Sequence, residues 1–309
     1  RATGFTTRNI LCIPLINRSD VCIGSLEALN KALSLGPGTA SLYYYHGHNL
    51  MNLGRYGDAL ESFNRSLEIS DQDPVTWHEK ADALFRMSNF SESLQAYSRS
   101  LELNPDNAQA AFFMGQASAS LGNYDDAVSS YDRALSINPA LSDAAYQKGL
   151  ALLQLRQYPE SIVSFEYTLE YSPKHANAHY HKGLALFELG SFSKAIKSFI
   201  QALKLDSSIT DALYRTGLAY ANLGNIADAL VAFDKILESA PDNADALIQK
   251  ARALARLNRP EEAPPISRRS LAGAAATSRS TSKSRSRTRS RTQSGNSQTK
   301  GDFGKTMRH

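Results

Sequence analysis

His175, His179 and His181 fall within seven residues, and the first two are four apart. That spacing stacks two imidazoles on one face of a helix, where they could hold a divalent metal. The neighbouring residues argue against that chemistry. His175 lies in a turn rather than on the helix that carries His179, and His179 stands in the column where Trp77 packs elsewhere. His181 points away from His179, because residues two apart do not share a helical face. The two cysteines, Cys12 and Cys22, form no metal-ligand spacing with these histidines and no disulfide framework. Neither a Cys–His or Ser–His–Asp arrangement with motif context nor a glycine-rich phosphate loop occurs. The chain reads as a non-enzyme with no metal and no cofactor.

A second kind of chemistry lies at the C-terminal end. Residues 264–309 hold eleven Lys or Arg and one acid, Asp302. Their centre reads Ser284-Arg285-Ser286-Arg287-Thr288-Arg289-Ser290-Arg291. Guanidinium groups at this density attract phosphate, and the interleaved hydroxyls are sites whose phosphorylation would reverse the charge. With few apolar residues, the segment is expected to be disordered. It resembles the arginine–serine segments of RNA-processing proteins. Residues 1–263 carry 23 basic and 29 acidic residues, so a net charge of +4 conceals a body near −6 and a tail near +10.

The elements that must position any site announce themselves by repetition. Gly47, Ala81, Gly115, Gly149, Gly183, Gly217 and Ala251 follow one another at intervals of 34 residues. A fixed period in this range is the mark of stacked helical units rather than a globular enzyme. Twelve residues on come Ala59, Ser93, Ala127, Ser161, Ala195, Ala229 and Ala263; four further stand Phe63, Tyr97, Tyr131, Phe165, Phe199 and Phe233. Pro105, Pro139, Pro173 and Pro241 close the period. The small residues are expected where two helix backbones approach, and the rings where one helix pair meets the next. Turns such as Leu121-Gly122-Asn123-Tyr124 and Leu189-Gly190-Ser191-Phe192 separate two amphipathic stretches, with Gly in the left-handed conformation ending the first helix. One unit is therefore an antiparallel helix pair.

On these columns the chain resembles the tetratricopeptide repeat (TPR) proteins, over roughly residues 17–263. Complete units are expected at 40–73, 74–107, 108–141, 142–175, 176–209 and 210–243, with partial units at both ends, an irregular segment over 1–16 and the tail over 264–309. The resemblance implies an all-α, right-handed superhelical solenoid whose concave groove is lined by the first helix of each unit and takes an extended or helical peptide. Carried onto this sequence, it places Tyr44, His48, His78, Asp82, Phe112, Gln116, Tyr146, Leu150, Tyr180, Leu184, Tyr214 and Leu218 on the groove wall. Asp143, Asn177, Asp211 and Asp245 stand near the start of their first helices and would favour a partner bearing Lys or Arg. Some family members clamp a terminal carboxylate with Lys, Asn and Arg. The corresponding positions here hold Tyr44, His48, Glu79, Gln109 and Phe113, which do not suit that task.

The functional expectation is a protein-interaction scaffold that binds a peptide segment of a partner. Two alternatives use the tail: an RNA-associated adaptor, if the tail is native, or a self-regulated scaffold whose basic tail occupies its own groove. Absent any apolar run of about 18 residues, no membrane span is expected. A cytoplasmic setting follows from the cysteine usage, or a nuclear one if the tail is native and the source eukaryotic. Units left uncapped at the ends would favour end-to-end self-association.

Overall fold

A computed structural model describes residues 18–36 and 38–262. The irregular segment expected over 1–16 and the tail over 264–309 lie outside the described residues. The described chain forms fourteen α-helices and one short 3-10 turn, and divides in sequence into two compact units, the first ending at Ala185 and the second beginning at Leu186.

In the first unit, α1 (Arg18–Ser34) stands where the second helix of a pair belongs. Four pairs follow: α2 (Ala40–Asn52) with α3 (Tyr56–Ile69), α4 (Pro74–Arg86) with α5 (Phe90–Leu103), α6 (Ala108–Ser120) with α7 (Tyr124–Ile137), and α8 (Ser142–Gln154) with α9 (Tyr158–Tyr171). α10 (Ala176–Glu188) crosses the division. The second unit continues with α11 (Phe192–Leu205), α12 (Thr210–Leu223) with α13 (Ile226–Ser239), and α14 (Ala244–Arg256), followed by the 3-10 turn Pro260–Glu262. In the first unit, α2, α4 and α6 each touch the first helix of the next pair as well as their own partner. Among the described residues of the first unit the second helices make no comparable contact with one another, so α2, α4, α6 and α8 form a continuous wall.

Local chemistry sets these boundaries. Asp73, Asn107 and Asn243 accept hydrogen bonds from backbone N–H groups of the helices they precede, satisfying donors that have no partner inside the helix. Inside the pairs, Gly54, Gly122, Gly190 and Gly224 adopt positive φ between 72° and 84°. Where the repeat lacks glycine, Ser88, Arg156 and Asn258 adopt the same left-handed conformation at φ 58–61°.

The core is the aromatic column. Phe63, Tyr97, Tyr131, Phe165, Phe199 and Phe233 are fully buried. The structure revises the reason for the small residues. A Cβ built on Gly47, Gly115, Gly149 or Gly217 would sit 2.6–2.7 Å from the ring of Phe63, Tyr131, Phe165 or Phe233 respectively. The close approach is therefore ring on backbone within one pair, rather than backbone on backbone. The same rings also reach the next pair, as where Tyr97 stacks on Phe113 at 6.3 Å. Adjacent pairs are further joined at their edges by Lys148–Asp132 (2.5 Å), Lys182–Glu166 (2.7 Å) and Lys250–Asp234 (2.5 Å).

Candidate functional site

Residues four apart lie one above the other on a helix, so a face of each first helix offers two side chains per pair to the wall. In the first unit these are Tyr44 and His48 on α2, His78 and Asp82 on α4, Phe112 and Gln116 on α6, Tyr146 and Leu150 on α8, and Tyr180 and Leu184 on α10. All ten are half-buried. In the second unit Tyr214 and Leu218 occupy the same places on α12 and are also half-buried. The rings are held from behind by the aromatic column. Centroid separations are 6.3 Å for Tyr44–Phe63, 5.6 Å for His78–Tyr97, 6.0 Å for Phe112–Tyr131, 5.9 Å for Tyr146–Phe165 and 6.1 Å for Tyr214–Phe233.

Across α2 and α4 the wall is acidic and titratable. His48 Nδ1 lies 3.3 Å from Glu79 Oε1, and that interaction raises the imidazole pKa above its ordinary value against the opposing effect of burial. Asp82 accepts a hydrogen bond from the Tyr97 hydroxyl, and its other oxygen is 3.8 Å from His78 Nε2. Burial raises the Asp82 carboxyl above the usual carboxylate range, with Glu79 adding to the effect. The Tyr44 hydroxyl is pushed up to about 12, first by burial and then by Glu79 and Asp73.

Across α8 and α10 the wall is aromatic and neutral. The Tyr146 ring lies 4.6 Å from the His175 ring and 5.8 Å from the His181 ring. His181 Nδ1 donates to the Asn177 carbonyl oxygen at 2.8 Å, with the Tyr146 hydroxyl 3.2 Å away. Burial lowers the His181 pKa. His179 turns elsewhere, its Nε2 3.1 Å from the Pro173 carbonyl, and its pKa too is lowered by burial. His175 and His181 thus share Tyr146 as a neighbour while His179 turns to a backbone carbonyl, and no group of three metal-ligating side chains converges among the described residues.

Asp143, Asn177, Asp211 and Asp245 are exposed. Asp143, Asp211 and Asp245 each stand in the first turn of a helix, where a carboxylate complements the helix dipole. Asp211 also accepts from Arg215 Nε at 3.1 Å, an intrahelical pair that partly neutralises it.

Models of the tetratricopeptide repeat match residues 40–73, 78–142, 146–212, 186–233 and 214–278. The chain belongs to the tetratricopeptide repeat family. No curated protein matches it. Among solved structures, it is similar to YrrB, described as a TPR protein with an unusual peptide-binding site, at 25% identity and a TM-score of 0.56 over 61% of this chain and 97% of that one. It is also similar to the C-terminal part of a TPR repeat-containing protein from Cytophaga hutchinsonii (15% identity, TM-score 0.65, 74% of this chain and 94% of that one). MamA from Desulfovibrio magneticus RS-1 aligns at 24% identity with a TM-score of 0.52, over 55% of this chain and 97% of that one.

The TPR wall contains two aromatics that the column positions did not single out as ligand contacts. Phe85 and Phe113, both half-buried, lie 6.2 Å apart, joining α4 to α6. Phe113 also packs against Phe112 at 5.2 Å and His78 at 6.5 Å. Their signal was present as rings four residues after and two residues before the small-residue column. In the sequence Phe113 and Glu79 stand only at clamp positions, whereas in the structure they belong to an aromatic and acidic surface.

Proposed function

We propose that this TPR protein is a non-enzymatic interaction scaffold whose first-helix wall binds a peptide segment of a partner. The observation that carries this reading is the contrast between two sets of rings. The six rings of the aromatic column on the second helices are fully buried, whereas Tyr44, Phe112, Tyr146, Tyr180 and Tyr214 on the first helices keep part of their surface open. Such half-open aromatic surface, already held in place by packing, binds with little further ordering cost. YrrB, with its peptide-binding site on a similar array, supports the same use. The neutral stretch Tyr146, Leu150, Tyr180 and Leu184 suits an apolar anchor, and the stretch at Glu79 and Asp82 suits a basic one.

The test is a peptide library panned on the full chain, followed by affinity measurement on variants. Leu150→Glu and Leu184→Glu are expected to weaken selected apolar peptides by about tenfold or more, since each puts a charge into the proposed contact. Val163→Glu, on α9 at 65% exposure, should leave them unchanged. Equal loss in all three variants would refute the wall as the binding face.

A further inference from the structure

The wall of α2, α4 and α6 presents an aromatic surface around two carboxylates. Tyr44, His78, Phe85, Phe112 and Phe113 are half-buried and Tyr45 is 57% exposed. Glu79 and Asp82 stand one turn apart on α4, with side chains 19% and 27% exposed. Other carboxylates of the fold, such as Asp132 and Glu166, are paired with lysine. Among the described residues, no Lys or Arg forms an ion pair with Glu79 or Asp82; their neighbours are His48, His78 and the Tyr97 hydroxyl. Arg86, the next turn along from Asp82, has the smallest of the effects on it. A hollow of about 240 Å³ opens beside Tyr44 and Tyr45, with Asp73 on its rim.

Half-buried carboxylates flanked by ring faces select a planar cation. A guanidinium can pair with carboxylate oxygens through its edge while its face stacks on an aromatic ring, which a lysine ammonium cannot do. The chain carries such groups in Arg285, Arg287, Arg289 and Arg291, with no acid from 264 to 301. An extended peptide places alternate residues on one side, so these four would face a wall together at intervals of about 7 Å. We propose that the aromatic and acidic wall of α2, α4 and α6 is a docking site for this chain's arginine–serine segment, 284–291. Arginine side chains of the segment pair with Glu79 and Asp82 and stack on the neighbouring rings. This rests on the reading of the first-helix wall as a peptide-binding face.

The experiment uses the full chain carrying R285S, R287S, R289S and R291S, titrated with a fluorescent peptide of residues 278–291. Saturable binding is expected, and it should fall about tenfold when E79Q and D82N are added. E61Q removes an exposed carboxylate from α3 and should change nothing. The unaltered chain should bind the peptide more weakly than the arginine-depleted one, because its own segment competes. Should D82N disturb the packing of Tyr97, E79Q alone carries the test with an expected loss of about fivefold. Four results would each overturn the proposal: no binding, equal loss in E61Q, equal binding by unaltered and arginine-depleted chains, or equal binding of a peptide with Lys for Arg. If the apolar peptides selected on Leu150 and Leu184 still bind while the 278–291 peptide does not, the docking proposal falls and the peptide-binding wall stands.

Discussion

The wall at α2 and α4 and the wall at α8 and α10 are built on the same columns, yet they offer opposite chemistry. Behind both lies the same support, a ring pressed on a small residue: Phe63 on Gly47 and Phe165 on Gly149. In front, the positions of Leu150 and Leu184 hold His48 and Asp82 nearer the N-terminus. The repeat thus separates two tasks. Buried columns fix the backbone, and the half-buried columns can change from acid to leucine without disturbing it. Three experiments would break or sharpen this comparison.

The largest effect concerns the shared support. Phe63→Ala and Phe165→Ala each remove a fully buried ring, and each should cost about 3–5 kcal/mol. Urea unfolding followed by circular dichroism reads the loss, with each variant's slope compared to the parent because stacked repeats need not unfold in one step. Comparable losses mean that the two walls differ only in front. A loss at Phe63 of less than half that at Phe165 would show that the acidic wall has a weaker support, and the separation of tasks would fail.

A smaller effect follows from giving the acidic wall the chemistry of the neutral one. Asp82→Leu removes a partly desolvated carboxylate but leaves the Tyr97 hydroxyl without its acceptor. A buried hydroxyl that loses its acceptor costs about 1–3 kcal/mol, so the single variant should be destabilised. Asp82→Leu with Tyr97→Phe should recover most of that loss, which a double-mutant cycle measures. The pH dependence has a definite sign. Asp82 holds its proton more tightly folded than unfolded, so its contribution to stability falls as pH rises from about 3.8 through the raised folded value. The double variant should lack that component. If it shows the parent's full pH slope, the raised carboxyl is not Asp82.

Much of this was legible in the sequence because burial repeats. The 34-residue register gave the helix pairs, the rings and the Gly turns, since each reports contacts that recur in every unit. Ser88, Arg156 and Asn258 show where the register outweighs local preference: the turn keeps its left-handed residue even without glycine. The wall was legible only as positions. Whether His48 meets Glu79, or Tyr146 meets His181, depends on how one pair is set against the next, and that setting leaves no column of its own. The exposed acids show the same limit: the column places Asp211 near the start of its helix, and only the structure shows that Arg215 on the next turn pairs with it.

The smallest effect is the most discriminating, because the two walls should respond to pH in opposite directions. His48 gains a proton more readily when folded, owing to Glu79. Its stabilising contribution is full below the ordinary imidazole value of 6.5 and fades as pH rises through the raised folded value. His181 resists its proton because it is buried among Tyr146, Tyr180 and Phe165. Its contribution is present above 6.5 and is lost as pH falls through the lowered folded value. Histidine ring signals followed by NMR between pH 5 and 8 should therefore move apart, His48 titrating above free imidazole and His181 below. In Glu79→Gln the His48 midpoint should fall while that of His181 stays fixed, since no charge links the two. Movement of both midpoints together would mean that one field spans the wall, and the division between an acidic and a neutral stretch would have to be abandoned.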